Sequence, residues 1–329
     1  MTINPGIYLL DEMCHLTAQS LTPMVTSEHF KVLKLLGEGS YGKVMLAVHR
    51  KRGTPMALKF FPRESTSLMS FLREYNLSLS FCTHPSLTRA MGIAYCTPSH
   101  YVFAQQAGLF GDLYDIILPE VGMEEDCCQR VVSQLCGALS HLHSLGFVHR
   151  DLKPENVFLC DSVCHWVKLG DFGMARGTRV PEVWYSSPYC TPEAEIARGN
   201  EDSWRGSRVW VRVEPSTDSW ALGILTYTML TGSHPWAETA SDCHSYLKYQ
   251  QWFDSSKGPD DELDVSKAPQ FACFTPLACF YFRSLLNPRP QLRGRPEDGL
   301  SYLGGDWVTE MEKARLEEKR KKSRGEEDR

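Results

Sequence analysis

The stretch His149-Arg150-Asp151-Leu152-Lys153-Pro154-Glu155-Asn156 brings a carboxylate, a cation and an amide together within eight residues. A second carboxylate follows twenty positions after Asp151, in Asp171-Phe172-Gly173. Asp151 can accept the proton of an attacking hydroxyl, and Lys153 can neutralise charge on a moving phosphoryl group. Asn156 and Asp171 are suited to hold a divalent metal. An eight-residue match followed at this spacing by Asp-Phe-Gly predicts phosphoryl-transfer chemistry rather than a chance turn.

A glycine-rich segment, Gly37-Glu38-Gly39-Ser40-Tyr41-Gly42-Lys43-Val44, lies between two predicted strands at residues 30–36 and 44–49. Glycines allow the backbone to approach phosphates closely and to direct its amides at them. A dinucleotide-binding site has similar glycine spacing, but it requires a helix after the glycines. Here a strand follows, and then a third strand at residues 56–61, which favours a hairpin that covers phosphates.

Lys59 lies in the middle of that third, apolar strand, where an ammonium group is costly unless it has a partner. Phosphate oxygens and a carboxylate would supply one, and Glu74 in the next segment is the best-placed carboxylate. The alternatives are an edge-strand lysine that points to solvent and a solvated helix glutamate. The pattern therefore predicts a contact between Lys59 and Glu74 beside bound phosphates.

A connector is predicted after two further strands near residues 88–95 and 100–105. Residues 105–108 leave the sheet there, between a β-rich part and a helical part, where an adenine can hydrogen-bond to backbone groups. Residues 111–117 are predicted to begin a helix. Asp112 either bonds a ribose hydroxyl or caps that helix.

Mainly helical patterns follow. Apolar residues with a period near 3.6 predict a long helix over residues 124–145, which leads the chain into residues 149–156, the predicted catalytic stretch. His141 and His143 on that helix are interpreted as surface or packing residues. A largely apolar helix is predicted from Asp218 to residue 230, and Asp218 either caps it or holds the backbone of the catalytic stretch.

The two ends of the chain differ from its middle. Leu9, Leu10, Met13 and Leu16 have helical spacing, which predicts a short helix lying on the main body, with a flexible leader as the alternative. Beyond residue 307 the charges are dense and of mixed sign. This pattern predicts a solvated helix or a disordered tail, with a nuclear-import signal as the alternative.

Composition indicates one large or two medium globular domains, since the chain has 329 residues, 42% of them hydrophobic, and a net charge of −5. The mild acidity gives no case for nucleic-acid binding. The twelve cysteines lack the paired spacing of a zinc site and indicate a reducing compartment, cytoplasmic or nuclear, of which we expect the cytoplasm. No secretory leader is expected, and the longest apolar stretch, residues 221–230, is too short to span a bilayer.

These motifs stand in the order found in the eukaryotic protein kinase family, which the chain resembles from about residue 30 to about residue 303. Lys153-Pro154-Glu155 is similar to the serine/threonine branch. Within that branch, Leu10-Asp11-Glu12-Met13, Ser27-Glu28-His29 and Tyr101-Val102-Phe103-Ala104-Gln105 resemble the small Src-homology-3-binding kinase family. The resemblance implies an α+β, two-lobed fold. It would have an N-terminal extension at 1–29, a kinase domain at 30–303 and a charged tail at 304–329, with a β-rich N-lobe to about residue 104 and a mainly helical C-lobe from about residue 108.

The resemblance also implies ATP and Mg²⁺ as cofactors, and protein serine or threonine hydroxyls as substrates. Asp151 would act as the catalytic base, Lys153 would contact the γ-phosphate, and Asn156 with Asp171 would hold magnesium. Lys59 would hold phosphate oxygens while paired to Glu74. The residues implied to surround ATP are Leu36, Gly37, Glu38, Gly39, Ser40, Tyr41, Gly42, Lys43, Val44, Ala57, Lys59, Gln106, Ala107, Asp112 and Phe158.

The resemblance has two further implications, one for the adenine pocket and one for a binding partner. Gln105 falls where kinases place the residue that guards the back of the adenine pocket. A Src-homology-3-type partner is suggested by the family name only, because the long proline-rich tail expected of such a ligand is not found in this sequence.

The segment beyond Asp171 departs from the kinase pattern. Glu182 falls near the usual position of an activating phosphothreonine, and it either supplies negative charge near Arg150 or is a surface glutamate. Ser186 stands where a threonine usually bridges to the catalytic aspartate and lysine. Residues 199–214 are an insertion in which residues 208–213 alternate polar and apolar side chains, which predicts an extra strand or hairpin, or else a disordered insertion.

Two further expectations complete the sequence-based view. Arg293 is the predicted partner of Glu193, with Arg289 or Arg295 as the alternatives.

The main rival function is a pseudokinase or scaffold that binds ATP or partners without turnover. The retained Lys59, Asp151, Asn156 and Asp171 argue against that rival, whereas the insertion argues for it. Phosphorylation of a small molecule or lipid is less favoured, because Lys153 and Pro192-Glu193 follow the protein-kinase pattern.

Overall fold

The computed structural model describes residues 5–39, 41–108, 110–177, 181–183, 188–195, 210–255 and 268–327. The strands are β1 (Thr22–Pro23), β2 (Phe30–Gly39), β3 (Gly42–His49), β4 (Pro55–Pro62), β5 (Ala90–Cys96), β6 (His100–Gln105), β7 (Phe147–Val148), β8 (Val157–Leu159), β9 (Val167–Leu169), β10 (Arg176–Gly177), β11 (Pro181–Val183) and β12 (Trp210–Arg212). The helices are α1 (Pro5–Ser20), α2 (Thr26–His29), α3 (Leu68–Ser80), α4 (Glu125–Ser144), α5 (Ser216–Thr231), α6 (His244–Ser255), α7 (Pro276–Leu285) and α8 (Glu310–Glu327). Residues 192–195 are also helical. Short 3₁₀ turns cover Leu113–Ile116, Pro154–Asn156, Pro269–Phe271 and Pro296–Tyr302.

A six-stranded sheet in the order β1-β5-β6-β4-β3-β2 forms the first lobe. Its pairs are antiparallel except for β1 with β5. β4 is an interior strand, and its residues 56–61 are buried. α3 packs on the sheet through Phe71, whose ring lies 5.4 Å from Phe61 and 6.0 Å from Phe103 between centroids. The predicted strands are confirmed, and Lys59 lies on the central one.

α1 lies against α3, which confirms the short helix predicted near the N-terminus. Leu10 and Cys14 are buried, whereas Leu9 and Leu16 are exposed, as expected of a helix with one covered face. The chain then pairs with the outer edge of β5 through β1.

The second lobe is built around α5, whose residues 218–230 are all buried. This confirms the apolar helix predicted there. α5 ends at Gly232, where φ is 74° and an added Cβ would lie 2.2 Å from the carbonyl oxygen of Leu118, so no other residue fits. Trp236, Tyr249 and Phe271 fill the neighbouring core, with ring centroids 4.8 and 5.2 Å apart along that series.

The insertion contributes one strand to the segment that follows Asp171. β12 pairs antiparallel with β11, and Glu182 lies opposite Val211. The extra strand predicted from residues 208–213 is therefore present over residues 210–212. Ser186, residues 199–209 and the side chain of Glu182 lie outside the described residues.

The charged C-terminal region forms α8, which lies beside the start of α4 with Leu316 buried. Lys313 and Arg320 reach Glu125 and Glu124 at 3.7 and 3.1 Å. In the part of the chain that the structure describes, no helix combines the length and the apolar character needed to cross a membrane.

Candidate active site

Lys59 is held between two carboxylates at the junction of the lobes. Its Nζ lies 2.7 Å from Oε2 of Glu74 and 3.4 Å from Oδ1 of Asp171. Burial alone would lower the pKa of Lys59, but the two carboxylates raise it above its ordinary value. The predicted contact with Glu74 is confirmed. The solvent-facing alternatives are excluded, because only 3% of Lys59 and 5% of Glu74 is exposed.

Asp171 has a left-handed backbone with φ of 57°. Its Oδ1 accepts a hydrogen bond from the amide of Gly173 at 3.3 Å. Burial would raise the pKa of Asp171, but Lys59 and this amide lower it, so the carboxylate is ionised at neutral pH. An added Cβ at Gly173 would lie 2.7 Å from Oε1 of Glu74, so this glycine allows the segment that contains Asp171 to approach α3 closely.

Phe172 lies between Asp171 and Gly173 and anchors this segment in the core. It is buried and packs edge-on against Phe81, which follows α3, at 5.1 Å and against His149 at 5.8 Å. Nδ1 of His149 accepts from the amide of Asp151 at 3.1 Å, so Nε2 carries the proton and donates to the Gly170 carbonyl at 2.8 Å. The imidazole therefore joins the two stretches that carry Asp151 and Asp171.

Asp151 is positioned by the residues that follow it. The amide Nδ2 of Asn156 donates to the Asp151 carbonyl at 2.7 Å and to its Oδ2 at 3.0 Å. Nζ of Lys153 lies 3.6 Å from Oδ1 of Asp151. Burial raises the pKa of Asp151 against the opposing charge of Lys153, which makes the carboxylate a better proton acceptor. With Nδ2 engaged, Asn156 has its Oδ1 to offer to a cation.

The carboxylate of Asp218 binds the backbone of the catalytic stretch. Its Oδ2 accepts from the amide of His149 and its Oδ1 from the amide of Arg150, both at 2.9 Å. Oδ2 also lies 2.7 Å from Nε2 of His143. Burial would raise the pKa of Asp218, but these donors lower it. Of the two roles predicted for Asp218, the structure places it in the second, since it makes no cap bond to α5.

His143 is a partner that sequence reasoning missed, because it was assigned to the surface or to packing. The two residues are 75 positions apart in the chain, and no local pattern connects them. Arg150, whose φ is 70°, donates from Nη1 to the Met174 carbonyl at 3.2 Å. Its predicted proximity to the Glu182 carboxylate lies outside the described residues.

The glycine-rich hairpin closes over Lys59. Gly42 has φ of 130°, and an added Cβ would lie 2.0 Å from the carbonyl oxygen of Phe60, so only glycine fits. The ring of Tyr41 turns inward, and Nζ of Lys59 lies 4.6 Å from its centroid. An added Cβ at Gly39 would lie 2.8 Å from that ring. Ser40 lies outside the described residues.

The predicted adenine region lies where β4 and β6 meet the connector. Ala57 is buried and pairs with Gln105 in register. The amide of Gln106 donates to the Arg89 carbonyl at 2.8 Å, so its carbonyl is the backbone group that remains for a ligand. Gly108 lies against Phe158, since an added Cβ would be 3.2 Å from the Phe158 Cβ.

Asp112 lies beside this region and caps a short turn. Its Oδ1 accepts from the Asp115 amide at 3.2 Å, and its own amide donates to Asp115 Oδ2 at 3.3 Å. The capping alternative is thus confirmed, although the helix predicted at this point is a 3₁₀ turn, Leu113–Ile116. Burial, together with the nearby charge of Asp115, raises the pKa of Asp112 to about 6.

Arg293 is the partner of Glu193, as predicted. Its two terminal nitrogens donate to the two Glu193 oxygens, each at 2.9 Å. Arg289 instead faces Asp254 at 3.6 Å, and Arg295 lies 4.0 Å from Glu297. Arg293 also donates to the Ser216 carbonyl at the start of α5, so it ties the residues around Glu193 to the central helix.

Comparison with known proteins identifies the family of this chain. The protein kinase domain family matches residues 30–298. The chain therefore belongs to the protein kinase family, and within it to the serine/threonine protein kinases related to SBK1 and SBK2.

Two relatives named SBK1 and SBK2 carry the narrower assignment, and a third serine/threonine kinase is also similar to most of this chain. The zebrafish (Danio rerio) serine/threonine-protein kinase SBK1 is 38% identical over 302 residues, which cover 91% of this chain and 74% of that one. The Rattus norvegicus kinase SBK2 is 36% identical over 312 residues, which cover 93% and 82%. The Drosophila melanogaster kinase meng-po is 31% identical over 301 residues, which cover 89% and 62%.

Proposed function

We propose that this protein transfers the γ-phosphoryl group of ATP to serine or threonine hydroxyls of other proteins, with Asp151 as the catalytic base. The observation that carries the proposal is the closed contact of Lys59 with Glu74 and Asp171, set beside an Asp151 that Asn156 holds in place. An ATP-binding scaffold without turnover would not require this arrangement around Asp151.

The residues present fit ATP and Mg²⁺. Asp171 is anionic and Asn156 has an amide oxygen to offer, and both oxygens suit Mg²⁺. The backbone around Gly42 would cover the phosphates, and Lys59 would hold their oxygens. When bound, Mg-ATP supplies the phosphoryl group and the metal charge that neutralises it.

The nucleoside would lie between the strands and the connector. Leu36, Val44, Ala57 and Phe158 would enclose the adenine, with backbone contacts from residues 106 and 107. Asp112 would reach a ribose hydroxyl while it caps its turn. These assignments rest on the positions of the residues around the hairpin and the connector.

The substrate hydroxyl would approach Asp151. Its proton would pass to the Asp151 carboxylate as the oxygen forms a bond to the γ-phosphorus, while the bond from that phosphorus to the β–γ bridging oxygen breaks and ADP leaves. Asn156 keeps the carboxylate in a fixed orientation. Lys153, which is half-exposed, would follow the transferred group and balance its charge. The proposal also assigns the hydroxyl of Ser186 to a bridge between Asp151 and Lys153.

Regulation and compartment complete the proposal. Glu182 would supply negative charge near Arg150 in place of a phosphate, and the pairing of β11 with β12 supports a fixed backbone there. The proposed compartment is the cytoplasm, because the spacing of the cysteines in the sequence favours a reducing setting.

The test compares the full chain with Asp151→Asn, using labelled ATP, Mg²⁺ and a peptide library. Asp151→Asn should lower the rate of peptide phosphorylation by about 10²- to 10⁴-fold, the usual contribution of a general base. ATP affinity, measured by calorimetry, should change little. Asp242→Asn, which alters an exposed carboxylate, is the matched control. Equal phosphorylation by the parent and Asp151→Asn would contradict the proposed function.

A further inference from the structure

α1 covers the helix that carries Glu74. It lies outside the 30–298 match to the protein kinase domain family, yet it packs along α3. Leu10 and Cys14 are 6% and 0% exposed, and they belong to the same core cluster as Leu72 and Tyr75 of α3. Without α1, this face of α3 would be open to water.

Asn76 is the polar centre of the contact. It follows Glu74 by two residues, so the two side chains leave α3 about 200° apart, on opposite faces. Asn76 is buried, and its Nδ2 donates to the Leu72 carbonyl at 2.8 Å and to Sγ of Cys14 at 3.7 Å. Oγ1 of Thr17 lies 3.1 Å from its Oδ1 and 2.8 Å from the Met13 carbonyl, and it can donate to either. α1 therefore supplies partners that a buried amide requires.

The end of α1 is fastened to the sheet. β1 pairs in parallel with Tyr95 and Cys96 of β5, and the Met24 amide donates to the Cys96 carbonyl at 3.0 Å. Thr26 Oγ1 lies 2.9 Å from the Tyr95 hydroxyl. The opposite face of α3 packs on the same sheet through Phe71. α3 is thus enclosed between α1 and the sheet, and rotation of α3 would break contacts on both faces.

We propose that α1 positions Glu74: through Leu10, Cys14 and Thr17 it sets the rotation of α3 at which Glu74 meets Lys59. These three are positioning residues, since none of them touches the site. The inference rests on the proposed use of Lys59 to hold ATP phosphates. It predicts that docking of α1 and binding of phosphates favour each other, because coupling between two sites is reciprocal.

The first experiment measures ligand affinities of the full chain by calorimetry. Leu10→Asp places a charge in the contact, whereas Leu9→Asp places the same charge on the 57% exposed neighbour. Leu10→Asp should weaken Mg-ATP binding by about 5- to 150-fold, the usual range of coupling between sites. Adenosine, which lacks phosphates, should bind both variants as it binds the parent. An equal loss for both ligands, or no loss for either, would overturn the inference.

A milder pair of variants distinguishes a loss of positioning from misfolding of the protein. Thr17→Val removes the hydroxyl that reaches Asn76, and Thr17→Ser restores it. Thr17→Val should lower Mg-ATP affinity and leave adenosine affinity unchanged, and Thr17→Ser should match the parent. If Thr17→Ser weakens Mg-ATP binding as much as Thr17→Val does, the hydroxyl has no positioning role.

The reciprocal experiment follows Cys14, whose thiol is covered while α1 is docked. Mg-ATP should slow alkylation of Cys14, measured by mass spectrometry of the peptide that contains it, and adenosine should not. In Lys59→Met the effect of Mg-ATP should disappear. An alkylation rate that Mg-ATP does not change would contradict the coupling. Because these measurements need no turnover, their failure is distinct from failure of the proposed kinase activity.

Discussion

Lys59 and Lys313 are both held by carboxylates, but at different depths. Nζ of Lys59 has Glu74 at 2.7 Å and Asp171 at 3.4 Å, and 4% of its side chain is exposed. Nζ of Lys313 has three partners, Asp306, Glu310 and Glu125, at 3.0, 3.3 and 3.7 Å, and 30% of its side chain is exposed. The surface lysine has more partners, yet water can replace any of them. The number of contacts therefore says less about a charge than the solvent around it.

Among the variants that test this contrast between buried and exposed charges, the largest effect is expected at Lys59. Lys59→Met keeps an apolar side chain of similar length but removes the charge that would hold phosphate. We expect the rate of peptide phosphorylation to fall about 10²- to 10³-fold, as when one preorganised donor is removed from a reacting group. Lys31→Met, on the exposed face of β2, is the control and should match the parent. A Lys59→Met enzyme that is as fast as the control would remove the distinction between the two lysines.

Arg293 is a buried cation outside the candidate active site, so it tests the same contrast between buried and exposed charges. In Arg293→Met, Glu193 keeps its charge without its partner, so we expect the free energy of unfolding to fall by about 3 kcal/mol. Urea denaturation measures this loss. Arg289→Met should change the free energy little, because Arg289 and Asp254 are both exposed. Similar losses in the two variants would show that burial does not decide the outcome.

Asp112 is the intermediate case, half-buried beside a charge of its own sign. Its folded pKa of about 6 exceeds the unfolded value of about 3.9, so the folded state binds more protons and stability falls as pH rises through this window. Asp112→Asn keeps a capping side chain and removes that loss. We expect it to exceed the parent by less than about 1 kcal/mol at about pH 7 and to equal it at about pH 3, as measured by urea denaturation. A gain of the same size at both pH values would contradict the assignment to ionisation.

The smallest effect is expected at Lys313. Lys313→Met should leave phosphorylation unchanged and lower the thermal unfolding midpoint slightly at low salt. The difference should vanish in about 1 M salt, where charges are screened beyond about 3 Å. Lys322→Met, whose lysine pairs with Glu318 on the open side of α8, should show no change at either salt concentration. A loss that persists in high salt would mean that Lys313 acts through packing.

Local patterns predicted the elements and the reacting groups well. A lysine inside an apolar strand has few stable environments, so Lys59 indicated both its strand and its need for Glu74. Helical spacing of Leu9, Leu10, Met13 and Leu16 likewise indicated α1, but not its covered face. Leu10 and Cys14 are buried there, whereas Leu9 and Leu16 are exposed. Arg293 was preferred over two nearby arginines, and its bidentate contact with Glu193 confirms that choice.

Contacts between distant segments could not be predicted in the same way. The bond of His143 to Asp218 and the approach of Thr17 to Asn76 depend on how helices pack, and no periodicity records them. α8 was expected to be a solvated helix or a disordered tail because its residues are mostly charged, yet Leu316 is buried there while Met311 is exposed. The predicted boundaries of the domains, and the roles proposed for Glu182 and Ser186, stay predictions.

The two edges of the N-lobe sheet are protected unequally against pairing with other chains. On one side the short β1 stops at Pro23, which has no amide hydrogen to offer an incoming strand. On the other side β2 runs for ten residues with Leu33 and Leu35 half-exposed. Open edges with apolar side chains are where molecules aggregate, and charged side chains oppose this. Lys31, Lys34 and Glu38 are the charged residues of β2, so the resistance of the folded protein to aggregation along this edge depends on three charges.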